Sequence, residues 1–193
     1  MIYSFYPGPA GGVALAKLLW GISSPSGRLS VSLPNVSGQI PAFYNRKDSY
    51  DFRYSDCNEK PRYSFGYGLN YTDFELTDFR ISNEKATIEQ INKNPISISF
   101  KIKNIGNIAS YAVPQLYIHD KSASVVPRVR VLKDFTKIKI APNETVKCEL
   151  KLTVEDLKIW NRNMEFVAEA GEFDIFVYES TKDYFKGLFE IID

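Results

Sequence analysis

The chain has 193 residues, 44% of them hydrophobic and 14% aromatic, enough apolar material for one large or two small packed domains and too much for a disordered tail. With 24 basic against 23 acidic residues, a formal charge of +1 and no long run of either sign, nucleic acid and membrane surfaces drop out as partners. Cys57 and Cys148 make no metal-ligand spacing, so a single bridge or two unrelated thiols both stay open, and no metal or other cofactor is implied.

Residues 5–12, FYPGPAGG, place two prolines and three glycines ahead of VALAKLLW. There Val13, Leu15, Ala16, Leu18 and Leu19 cover most faces of a short helix over 13–20, which must be buried, and Gly21 is its natural C-cap. The apolar run is too short to span a bilayer and is interrupted by Lys17, while residues 1–9 lack the basic residue of a secretory signal. The start of the chain therefore reads as internal, and its compartment is left open. A glycine-rich turn opening a helix invites a phosphate site, but neither the Lys-Ser/Thr pair of a P-loop nor dinucleotide spacing is present, and a tight turn feeding the helix is the better reading. SSPSG at 23–27 is turn chemistry leading into RLSVSL at 28–33, an alternating strand. From 34 to 60 prolines, aspartates and tyrosines mix without a period, the pattern of an extended surface loop.

Residues 61–72, PRYSFGYGLNYT, divide the chain. Gly66 and Gly68 supply flexible backbone while Phe65, Tyr67, Leu69 and Tyr71 supply aromatic and apolar area that must be buried. A bare linker would be polar and Gly/Ser-rich. The stretch reads as a hinge whose rings pack into a seam between two domains; the competing reading is an aromatic turn inside one domain.

Beyond the hinge the period becomes two. Ile96, Ile98, Phe100 and Ile102 alternate with Ser97, Ser99, Lys101 and Lys103, as do Val146, Cys148, Leu150 and Leu152 with Lys147, Glu149 and Lys151, both half-buried strands. Residues 74–81, 111–118, 129–140, 172–178 and 185–191 are further strands, separated by turn signals, with only 154–160 helix-like. About seven antiparallel strands in about 120 residues describe an immunoglobulin-like sandwich. The fold class is thus mainly β: a C-terminal immunoglobulin/fibronectin III-like sandwich over 74–193, a connection over 61–73, and a partial α/β segment over 1–60 with one helix, one or two strands and a long loop. Residues 1–60 cannot cover themselves, so they either pack on the sandwich or form the margin of a larger domain.

Candidate chemistry is sparse. Asp48, Asp51, Asp56 and Glu59 could serve calcium or acid/base work, but Arg46, Lys47, Arg53, Lys60 and Arg62 interleave, which describes a solvated loop with local charge pairs. His119, the single histidine, sits at a strand end with no nucleophile motif nearby and reads as structural or exposed. Tyr54 and Tyr63, in the aromatic run that includes Tyr44, Tyr50, Phe52 and Phe65, are candidates for stacking on sugar rings, with burial between domains as the alternative.

YPGPAGG at 6–12, Trp20-Gly21, SPSGRL at 24–29 and PRYSFGYGLNYTDF at 61–74 resemble the closing segments of family 3 glycoside hydrolases, the β-glucosidase and β-xylosidase group. NIGNIASYAVPQLYIHD, LKDF at 132–135, LTVEDLKIW and EAGEFDIFV resemble the fibronectin type III-like domain that ends many members. The resemblance implies an enzyme whose nucleophile aspartate and acid/base glutamate sit in a barrel and an α/β domain upstream of this stretch. Since such chemistry needs the two carboxyl groups about 5 Å apart, this chain is expected to be structural and inert, with those catalytic domains as its partners in cis or in trans. Pro9-Ala10, Asp134, Asn143 and Pro127-Arg128 depart from the family's pattern. The alternatives are a free-standing carbohydrate- or protein-binding sandwich and a subunit that complements a separate catalytic core through its helix.

Overall fold

The computed structural model describes residues 2–48, 56–58, 60–179 and 184–193. In chain order the elements are α1 (Gly11–Leu19), β1 (Phe74–Ile81), β2 (Lys85–Ala86), α2 (Ile88–Lys93), β3 (Ile96–Asn104), β4 (Ser110–Ala112), β5 (Gln115–Asp120), β6 (Val131–Phe135), β7 (Ile138–Ile140), β8 (Thr145–Leu152), α3 (Val154–Leu157), β9 (Ile159–Trp160), β10 (Phe166–Val167), β11 (Gly171–Tyr178) and β12 (Tyr184–Ile191).

Two sheets form the sandwich: a three-stranded sheet ordered β1-β3-β8 and a five-stranded sheet ordered β2-β12-β11-β5-β6. Pairing is antiparallel except for the short β2, which runs parallel to β12. The period of two read in the sequence becomes the inward row Ile96, Ile98, Phe100 and Ile102 of β3, which meets Phe173, Ile175 and Val177 of β11 and Leu116 and Ile118 of β5 in one core. Each of these is 5% exposed or less, and full burial of such a side chain stabilises by about 1.5–3 kcal/mol.

Several element limits differ from the sequence expectation. The run 111–118 breaks at Val113-Pro114 into β4 and β5, because proline cannot donate to a ladder. The run 129–140 also breaks, at Thr136-Lys137, into β6 and β7. The helix-like stretch 154–160 keeps one turn, α3, and then becomes β9. The expectation missed α2, although Thr87 and Gln90 form a reciprocal capping box at its start.

The run 28–33, expected to be a strand, bends at Ser30 and Val31 and belongs to none of the sheets. Leu33 meets Tyr63 in an isolated bridge, and Leu29 exchanges backbone hydrogen bonds with Tyr67 and Gly66. Among the described residues no third segment flanks it to extend the ladder. Gly21 ends α1 as expected, at φ +70°, with its N–H on the Leu18 carbonyl.

The expectation that α1 is buried fails. Val13 is 62%, Leu19 60% and Trp20 77% exposed, and within the helix only Gly11 is buried. Described residues between 22 and 73 do, by contrast, meet the sandwich, among them Arg28, Tyr44, Phe65, Gly66 and Thr72. Residues 45–48 hydrogen-bond with 127–129 through Asp48 N–H to Pro127 O, Val129 N–H to Arg46 O and Arg128 Nη1 to Asn45 O.

Two departures from the resembled pattern have visible roles. Asn143 adopts φ +62°, a left-handed turn that asparagine tolerates better than most residues. Asp134 accepts from Phe135 N–H at 2.8 Å and from Lys151 N–H at 3.1 Å, tying the edge strand β6 to β8 of the other sheet.

Candidate functional site

The outer face of β5 and β11 is where the first part of the chain meets the sandwich. Leu116 and Ile118 point inward, so Gln115 and Tyr117 point outward, yet both are about as buried as the core because residues 44 and 65–66 cover them. Tyr44 stacks on Phe65 with ring centroids 4.0 Å apart and planes 12° apart. Both rings stand edge-on to Tyr117, which in turn stands edge-on to Tyr178 at 5.6 Å. Each such pair adds about 0.5–1.5 kcal/mol beyond the area it buries.

Polar groups fix the register of this contact. The Tyr117 hydroxyl donates to Gln115 Oε1 at 2.7 Å, and Gln115 Nε2 donates to the Gly66 carbonyl at 3.2 Å. Gly66 has φ +79°, and a Cβ there would overlap Gln115 Oε1 and lie 2.7 Å from the Tyr117 hydroxyl. Glycine is therefore required at 66 by both backbone and space. Burial pushes the Tyr117 phenol far above its ordinary range, although Arg130 pulls the other way.

A second fastening lies at the end of β11. Arg28 Nη2 meets Glu179 Oε1 at 2.7 Å, with side chains 7% and 6% exposed, and also donates to the Glu179 carbonyl at 3.2 Å. Burial raises the Glu179 pKa above its ordinary value of 4.5; the opposing pull of Arg28 and a hydrogen bond from Val113 N–H is smaller. A third fastening is Thr72, whose hydroxyl donates to Asn104 Oδ1 at 2.5 Å. Asn104, fully buried, also accepts from Gly106 N–H and donates to the carbonyls of Ile108 and Ile140.

The residues expected to form a hinge are thus spread over different surroundings. Phe65 and Gly66 sit in the aromatic contact; Tyr67 packs against Tyr63, centroids 5.0 Å apart. Gly68 lies where a Cβ would strike the Gly27 carbonyl and the Arg28 guanidinium. Leu69 and Tyr71 are exposed, and the Tyr71 hydroxyl donates to the Leu18 carbonyl at the end of α1. Tyr63 is half-buried in its bridge with Leu33. Tyr54, Asp51 and Glu59 lie outside the described residues, so the acidic cluster is represented only by Asp48 and Asp56. His119 Nδ1 donates to the Arg128 carbonyl at 2.8 Å, holding the loop before β6. Cys57 and Cys148 are both free. Among the described residues no group of three or more His, Cys, Asp or Glu is placed to hold a metal, and no helix is long and apolar enough to cross a membrane.

The arrangement defines a fibronectin-like β-sandwich to which a preceding segment is clamped by rings and buried polar pairs. Residues 112–181 match the fibronectin type III-like domain, and residues 1–71 match the glycosyl hydrolase family 3 C-terminal domain. The chain belongs to the family 3 glycoside hydrolases and corresponds to their C-terminal part.

Similar proteins include a periplasmic β-glucosidase of Salmonella typhimurium, 33% identical over all of this chain and 26% of its own length. A β-xylosidase of Formosa agariphila is 30% identical over 94% of this chain and 25% of its own length. Among solved structures, a β-glucosidase from Listeria innocua in complex with isofagomine superposes with a TM-score of 0.87 at 33% identity, over 96% of this chain and 27% of that one. The chain thus spans about a quarter of the length of the curated relatives it matches, and in them the matched region is the C-terminal part of a larger multi-domain protein.

Proposed function

We propose that this chain is the structural, non-catalytic C-terminal part of a β-glycoside-cleaving enzyme of the β-glucosidase and β-xylosidase kind, and that its partners are that enzyme's catalytic domains. In this reading 1–60 belongs to the α/β unit that those domains complete, 61–73 sets the docking angle, and 74–193 is the buttress. The observation that carries it is the clamp: Arg28 on Glu179, and the stacked rings of Tyr44 and Phe65 edge-on to Tyr117, join the segment matching one family domain to the sandwich matching the other.

Among the described residues, one buried and several half-buried carboxylates support the absence of chemistry here, because they are engaged in holding the fold. Glu179 pairs with Arg28, Asp156 caps α3 through Thr153, Asp134 ties β6 to β8, and Asp120 accepts from Ser122 N–H. The exposed apolar side of α1 supports a role as a docking margin for those catalytic domains.

The test is a chimera in which this chain replaces the matching C-terminal quarter of the Listeria innocua enzyme. The expected result is hydrolysis of an aryl β-glucoside with the parent's KM. A soluble, folded chimera with an altered KM would overturn the purely structural role.

A further inference from the structure

Beside the clamp lies a cleft of about 550 Å³, with residues 39–46 and 60–64 on one wall and Val129, Arg130, Phe176 and Tyr178 on the other. That volume is in the range of small-molecule sites. Phe43, Tyr44, Phe176 and Tyr178 give it ring faces, Ser32 and Ser64 give it hydroxyls, and none of its described lining residues is an aspartate or glutamate.

Arg130 is the feature that the clamp leaves over. Its guanidinium carbon lies 5.5 Å from the ring centroid of Tyr117 and 5.5 Å from that of Tyr178, so two rings hold it in place. It makes no hydrogen bond or ion pair among the described residues, and it also lines a hollow of about 130 Å³ next to the cleft. A planar cation fixed between rings keeps a fork of N–H donors matched to a carboxylate, and little side-chain freedom is lost when one binds.

We infer that this cleft binds an acidic sugar, a uronic acid unit whose carboxylate pairs with Arg130 while its ring lies against Phe43 and Tyr44. The ring faces suit the C–H faces of a pyranose, the serine hydroxyls suit its hydroxyl groups, and a described lining without carboxylates, with Arg130 unpaired among the described residues, favours the anion over a neutral sugar. Binding here requires no bond cleavage, so the site is separate from the structural role proposed above and stands or falls without it.

Isothermal titration of the purified chain with digalacturonate and with cellobiose tests this. Digalacturonate is expected to bind at least about tenfold more tightly than cellobiose, the equivalent of one charge-assisted contact. Arg130→Gln should lose about that factor, and Phe43→Ala, at a ring already 64% exposed, should weaken both sugars without unfolding the chain. Should Arg130→Gln fail to fold, Arg130→Lys keeps a cation over the rings and should still weaken digalacturonate several-fold. Equal affinity for the two sugars, no heat with either at 10 mM, or an Arg130 variant of native fold that binds as the parent does would each overturn the inference.

Discussion

Arg28 and Glu179 stand 151 residues apart in sequence and 2.7 Å apart in space, each less than a tenth exposed. Arg28 also leaves its Nε without an acceptor among the described residues. A buried pair that is incompletely satisfied adds little net stability, yet removing one member strands the other. Glu179→Ala should therefore destabilise the chain by about 3–5 kcal/mol, read by urea unfolding. The double variant Arg28→Met with Glu179→Leu should recover most of that loss. A double variant as unstable as the single one would mean that the pair itself supplies the stability.

The elevated Glu179 pKa sets a pH dependence. Because burial raises the folded value above the ordinary 4.5, the contribution of this group to stability is fully present below 4.5 and is lost as pH rises through the folded pKa. Glu179→Gln holds the neutral form, so its stability relative to the parent should improve between pH 4 and pH 7. A carbon-detected NMR titration of Glu179 should give a midpoint above 4.5; a midpoint below it would show that Arg28 dominates.

The cysteines should separate cleanly. Cys148 faces the core from β8 and burial pushes its thiol from 9.0 up to about 11, whereas Cys57 is half-buried in the loop. The stability due to the neutral Cys148 thiol is fully present below pH 9 and is lost as pH rises through about 11. Iodoacetamide at pH 8 should alkylate Cys57 alone, with Cys148 labelled only after denaturation. Equal labelling of the native chain would contradict the burial.

Gly66→Ala should be costly although it adds one methyl group. A non-glycine residue at φ +79° costs about 1–3 kcal/mol, and the overlap with Gln115 and Tyr117 adds to it. Thermal unfolding should show the loss, together with weakened fluorescence coupling among the rings of Tyr44, Phe65 and Tyr117. A midpoint equal to the parent's would mean that the clamp is loose in solution.

Trp20 is 77% exposed and Val13 and Leu19 more than half exposed. The isolated chain should therefore bind a hydrophobic dye, and Val13→Asp with Leu19→Asp should remove most of that signal with little change in unfolding midpoint. Dye binding that survives both substitutions would place the apolar patch elsewhere.

Much of the sandwich was legible because β3 and β8 are covered on one face and alternate cleanly, from Ile96 to Ile102 and from Val146 to Leu152. The clamp was less legible, for a reason that can be named. Asn104 continues the inward row Ile96, Ile98, Phe100, Ile102, and Glu179 continues the inward row Phe173, Ile175, Val177. A polar residue at an inward position is a signal of a buried contact, but its partners Thr72 and Arg28 are fixed by tertiary packing that periodicity does not encode. The exposure of α1 had the opposite cause: its apolar faces predict burial, and burial depends on what else is present to cover them.

The most direct measurement is turnover of nitrophenyl β-glucoside and β-xyloside by the purified chain alone, followed to enzyme-equivalent concentrations at which a single turnover would register. No release above the buffer rate is predicted, because Glu179, Asp120, Asp134 and Asp156 are engaged in holding the fold. Sustained release that tracks the folded protein and disappears with substitution of one of its own carboxylates would contradict the account.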